Sequence, residues 1–168
     1  KTIALNSCTA ALHLSLMGLD IQPGDEVAIS SITFVTTAHV VLYCGAIPIL
    51  IDVDSETLQM SPSDLEKKIN KKTKAVIAVH YGGMLCNMDA IIQIARRHGL
   101  GVIEDAANCT GAIYKGRKIG NLDSDFTCFS FEAKKNMTTG DGGMILTNSN
   151  DVVVEKLRKL RWVGMDKD

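Results

Sequence analysis

Three groups of residues in this chain have types and spacings that could do chemistry. Lys135 lies just before Thr138-Thr139-Gly140-Asp141-Gly142-Gly143. Glycines let backbone approach a ligand closely. A lysine held there with a lowered pKa can condense with an aldehyde to an imine. Loop lysines are usually solvated, as Lys134 next door illustrates, and on this loop alone the solvated reading is the stronger. Asp105 closes the apolar run Leu100-Gly101-Val102-Ile103-Glu104. An acid after such a run could sit against a protonated ring nitrogen or cap the turn that follows, and the two readings weigh alike. Glu104 competes with it, but strand alternation turns Glu104 to the opposite side. The third group is Ser7-Cys8-Thr9, ahead of a helical pattern. Hydroxyls and free N–H groups at a helix start hold phosphate well, although plain capping is commoner. Ser130, inside Phe129-Ser130-Phe131, could add a hydroxyl; a lone buried serine more often bonds to backbone.

Together these groups match one ligand chemistry, that of pyridoxal 5'-phosphate (PLP). Its aldehyde takes a lysine, its phosphate takes donors, and its pyridine nitrogen takes a carboxylate that keeps the ring a good electron sink.

The elements that must hold these residues alternate in type. Helical patterns are expected over residues 10–19, 34–43, 61–70, 88–98 and 152–162. Strands are expected over 26–31, 47–52, 74–79, 100–104, 126–131 and 144–147. Ser61 reads as an N-cap with Pro62 after it and Asp64 completing a capping box. Gly99 fits the C-cap of the helix over 88–98. Strands joined by helices predict an α/β fold, a three-layer α/β/α arrangement around a mostly parallel sheet. No repeat, low-complexity tract or linker interrupts it, so one domain is expected.

Composition narrows the function. The 168 residues are 46% hydrophobic and 22% charged, with a net charge of −1, which describes an ordinary globular chain. Nothing points to nucleic acid or a membrane as partner. The Lys/Arg gatherings over 67–74 and 156–161 read as solvated helix surfaces. Five cysteines, at wide spacings and without a Cys-x-x-Cys pair, support neither a metal site nor a disulfide framework. They fit a reducing, cytoplasmic setting. The chain opens at Lys1 and stops at Asp168 without an obvious finish, and is expected to be a piece of something longer.

The order and spacing of many short stretches resemble the DegT/DnrJ/EryC1/StrS family, nucleotide-sugar aminotransferases of PLP-dependent fold type I. They include Asn6-Ser7-Cys8-Thr9-Ala10-Ala11-Leu12-His13, Pro23-Gly24-Asp25-Glu26-Val27, Thr33-Phe34-Val35, Glu104-Asp105-Ala106-Ala107, Phe129-Ser130-Phe131 with Lys135-Asn136, and Gly140-Asp141-Gly142-Gly143-Met144. The resemblance implies roles residue by residue. Lys135, four places after the second phenylalanine of the Phe-Ser-Phe run, is the imine lysine, and Asp105 is the acid at the pyridine nitrogen. Thr9, the Ala10 backbone and Ser130 bind the phosphate. Phe34 packs on the cofactor ring, and Asn108 takes a position where glutamine or histidine is usual near the ring hydroxyl. Cys8, His39, Glu132 and the stretch over 81–86 depart from the usual residues.

By the same resemblance, residues 1–168 form a PLP-binding large domain, with an N-terminal segment and a C-terminal small domain outside it. The protein would be a homodimer sharing its active sites. It would move an amino group from an amino acid, glutamate above all, to a nucleotide-linked keto sugar in amino-sugar or polysaccharide biosynthesis. The alternatives are a PLP-dependent dehydratase on the same fold and a non-catalytic regulatory homologue; Lys135 stands where a dehydrase branch of the family has histidine, and Lys135 and Asp105 together count against the non-catalytic homologue.

Overall fold

The computed structural model describes residues 1–165, so the last three residues of the expected domain lie outside the described residues. Among the described residues, nine strands and five α-helices follow in chain order: β1 Thr2–Leu5, α1 Cys8–Gly18, β2 Glu26–Ser30, α2 Thr36–Tyr43, β3 Ile47–Ile51, α3 Pro62–Lys68, β4 Thr73–Val79, α4 Met88–His98, β5 Gly101–Asp105, β6 Ile113–Tyr114, β7 Arg117–Lys118, β8 Phe126–Ser130, β9 Gly143–Thr147 and α5 Asp151–Arg161. Seven strands make one sheet in the order β1-β9-β8-β5-β4-β2-β3. The run β8-β5-β4-β2-β3 is parallel throughout, and β9 is antiparallel to both of its neighbours. The expected α/β class is therefore observed.

Helices cover both faces. One core joins α1, α2 and α5 to the sheet through residues such as Leu12, Val40, Ile103 and Leu157. The other joins α3 and α4 through Leu65, Ile91, Val102 and Phe129. Central strands buried on both sides must be apolar at nearly every position, and Ala75 to Val79 of β4 are all buried. Each fully buried Ile or Leu contributes about 1.5–3 kcal/mol relative to exposure.

The boundaries correct several expectations. Helix α1 begins two residues earlier than expected, because Ser7, in extended backbone, takes the cap and accepts the Ala10 N–H. Helix α2 begins at Thr36 with no side-chain cap, so Phe34 stays in the loop. Only half of the capping box at α3 forms. Ser61 accepts the Asp64 N–H, while the Asp64 carboxylate turns to the Asp52 N–H and Lys68. Strand β1 and the β6–β7 hairpin were not anticipated. Gly99 does end α4 in left-handed backbone, at φ 66°, behind a last turn of Arg96, Arg97 and His98 that complements the helix dipole.

This topology gathers one edge of the sheet. The carboxyl ends of β1, β2, β4, β5 and β8 point the same way, and β9 starts there because it runs the other way. Open α/β sheets bind ligands beyond that edge.

Candidate functional site

Gly143 is the residue that assembles the edge. It pairs with Ser130 on β8. A Cβ added to it would come within 2.2 Å of the Ser7 carbonyl carbon and oxygen, and 2.7 Å of the Cys8 nitrogen. Only a glycine there lets the start of α1 rest on the β8–β9 pair. The close approach expected of the glycine loop is therefore made to the chain's own backbone. Its effect is to bring Ser130 and the Ser7-Cys8-Thr9 turn to the same place.

Asp105 ends β5 opposite Cys128 of β8 and is 7% exposed. Its side chain leans toward α1 and α2. Oδ1 accepts the Ala107 N–H at 3.2 Å and the Cys8 thiol at 3.8 Å, and Oδ2 accepts the Thr37 hydroxyl at 3.3 Å. Burial pushes this carboxyl above the usual carboxylate range, while the Ala107 and Thr37 bonds and the nearby Lys135 cation pull it back. The bond to Ala107 is the turn cap considered above, so Asp105 caps with one oxygen and keeps the other for the site.

Lys135 reaches the same edge from the loop after β8, where its N–H donates to the Glu132 carbonyl. Its Nζ lies 3.0 Å from Asn108 Oδ1, three residues beyond Asp105. That contact brings the lysine, Asn108 and the β5 terminus together. Ser130 is buried and accepts the Glu132 N–H at 3.4 Å, the kind of backbone partner a lone serine finds. Thr9 is half-buried in the first turn of α1. The Ala10 N–H is engaged by Ser7 Oγ at 3.1 Å, so a phosphate there would compete with the cap. Phe34 is 73% exposed, in the loop whose carbonyl at Phe34 receives the Thr37 N–H.

Sequence reasoning missed two polar neighbours of Asp105, Thr37 and Cys8, as ligands of its carboxylate. The signal at Thr37 was a hydroxyl three and four places before Val40 and Val41, on the buried side of α2. On the other face, Glu104 accepts from His80 Nε2 at 3.1 Å, Thr127 at 2.9 Å and Ser124. His80 Nδ1 accepts the Cys86 N–H at 3.2 Å, which assigns the ring proton to Nε2.

The donor set therefore suits a phosphorylated, aldehyde-bearing pyridine. It offers an amine, a buried carboxylate with room on one oxygen, and hydroxyls at a helix start. Among the described residues, no group of three or more His, Cys, Asp or Glu side chains could hold a metal ion. No described helix is long and apolar enough to cross a membrane.

The sequence model of the DegT/DnrJ/EryC1/StrS aminotransferase family matches residues 1–168. The chain belongs to this family. GDP-perosamine synthase of Caulobacter vibrioides is 49% identical over 98% of the chain and 44% of its own length. S. venezuelae DesV superposes with a TM-score of 0.94 at 39% identity, over 99% of the chain and 45% of DesV. Spr1654 of Streptococcus pneumoniae, solved in a PLP form, gives 0.87 at 34% identity, over 96% of the chain and 45% of that protein. The chain thus spans less than half the length of these relatives. Membership gives the sheet its class, the mostly parallel α/β/α arrangement of PLP-dependent fold type I.

Proposed function

We propose that the chain is the PLP-binding large domain of a longer sugar aminotransferase. It would transfer an amino group from an amino acid, glutamate in the first instance, to a nucleotide-linked keto sugar. The observation that carries this reading is the meeting of Lys135, Asn108 and Asp105 at one edge of the sheet, in a chain of this family. The nucleotide link draws support from the name of the Caulobacter relative.

PLP, when bound, supplies an aldehyde for amines and a ring that accepts electrons from the carbon bearing them. The residues of the chain do the rest. Lys135 Nζ would be the amine that holds the aldehyde and, when free, would move a proton at the reacting carbon. Asp105 Oδ2 holds the proton of the ring nitrogen. Thr9, the Ala10 N–H and Ser130 hold the phosphate, which is why Gly143 must bring α1 and β8 together. Phe34 would pack on the ring, and Asn108, which meets Lys135 Nζ, would lie near the ring hydroxyl.

The protein would work in the cytoplasm as a homodimer in which each partner completes the other's site. The exposed apolar side chain of Val35 beside the edge supports such a contact. A screen of amino donors and nucleotide-linked keto sugars on the full-length protein, read by mass spectrometry, tests the reaction. Amine gained by the sugar with one keto acid released per turnover is expected. Ammonia released without a keto acid would replace this reading with the dehydratase.

A further inference from the structure

We infer that Thr37, seated by Thr33, is a positioning residue that selects the Asp105 oxygen facing the cofactor and keeps that carboxylate charged. This rests on the reading of Asp105 as the acid at the ring nitrogen.

Thr37 is fully buried in the first turn of α2. A buried hydroxyl needs partners, and in a helix it commonly bonds back to a carbonyl one turn earlier. Here it donates instead to Asp105 Oδ2 at 3.3 Å, and Thr33 Oγ1 lies 2.7 Å away. A hydroxyl has one proton, and a carboxylate can only accept. The Thr37 proton therefore points at Asp105, and Thr33 donates the second bond, its other acceptor, the Phe34 carbonyl, lying farther off at 3.4 Å. Thr33 thus locks the Thr37 rotor.

The two oxygens of Asp105 are left unequal. Oδ1 takes the Ala107 N–H and the Cys8 thiol, one from the following turn and one from α1. Oδ2 takes Thr37 alone, by a long bond, and keeps a lone pair for one more donor. That makes Oδ2 the oxygen for the ring N–H. The proton between Asp105 and the ring nitrogen can sit on either partner. Every donor to the carboxylate favours the arrangement with the proton on nitrogen and the charge on oxygen. Removing the Thr37 donor moves the proton toward Asp105.

The test uses full-length protein loaded with PLP labelled with 15N at the ring nitrogen and observed by NMR. Thr37→Val keeps the shape and removes the hydroxyl; Thr37→Ser keeps the hydroxyl. The valine variant should move the 15N resonance toward unprotonated pyridine and slow the half-reaction with donor about tenfold, the scale of one lost hydrogen bond to a charged group. Serine should restore the resonance. Thr33→Val should move it the same way by less, and keeps the test decisive if Thr37→Val does not fold. Asp105→Asn is the reference. If Asp105→Asn moves the resonance and neither threonine variant does, the inference fails alone. If Asp105→Asn also leaves it unmoved, the Asp105 reading falls and takes the inference with it.

Discussion

Glu104 and Asp105 are neighbours on β5, both acidic and both buried, yet the strand sends them to opposite faces. Glu104 enters the face under α3 and α4, where His80 Nε2, Thr127 and Ser124 donate to it. Three side-chain donors, each supplied by the fold, satisfy the charge and leave no room for a ligand. Asp105 faces α1 and α2, where two donors crowd one oxygen and a single hydroxyl meets the other. A buried charge is tolerated when its hydrogen bonds are complete and becomes available for chemistry when they are not. The same residue class, one position apart, is thus divided between holding the sheet together and serving a ligand.

Exchanging each acid for its amide breaks the comparison most sharply. Asp105→Asn should cut turnover of the full-length enzyme by about 10²–10⁴-fold, comparable to loss of a positioned proton carrier, while the protein still folds. Steady-state kinetics and circular dichroism check both halves. Near-normal turnover would remove Asp105 from the site.

The open face must also hold the phosphate. Removing the hydroxyls of Thr9 and Ser130 together by alanine should weaken PLP binding by at least ~100-fold, from two bonds to a charged group at about 1.5–3 kcal/mol each with some replacement by water. Dissociation constants and melting temperatures separate this from a capping role, which would lower stability equally with and without PLP.

Glu104→Gln should do the reverse of Asp105→Asn. It leaves one of the three donors facing an amide N–H, so stability should fall by about 1–3 kcal/mol. Activity per bound cofactor should hold, as urea denaturation and titrated turnover would show.

The smallest effect is one of pH. Burial raises Asp105 above 3.8 in the folded protein, so the native state binds more protons than the unfolded chain as pH rises through that window, and the wild type loses stability there. The cost is fully present above the raised native value. Apo Asp105→Asn should therefore melt above apo wild type at neutral pH. The gap should shrink as pH falls through the native value and vanish below about 3.8. A gap that stays constant with pH would mean Asp105 carries no such burden.

Much of this was legible in the sequence. Helix ends written by Gly99 and Ser61, and apolar runs such as residues 74–79, gave the elements and the class, and alternation separated Glu104 from Asp105. The order of strands was not legible, because contacts such as β1 with β9 join residues far apart in the chain. The short β1 and the hairpin at Tyr114-Lys115-Gly116-Arg117 lack the length that makes a pattern visible. Gly143 was noticed for the wrong partner, since a glycine's composition does not say whether backbone or ligand will approach it. Thr37 was hidden within a helix and Cys8 within a turn read for its hydroxyls, because a hydroxyl or thiol looks like a neutral filler until the strand it faces is known.

The most direct test of the account is where borohydride fixes the cofactor. Full-length protein saturated with PLP should, after reduction and peptide mapping, carry the pyridoxyl group on Lys135, the lysine beside Asn108. A label on Lys134, or no label at all, would contradict the site.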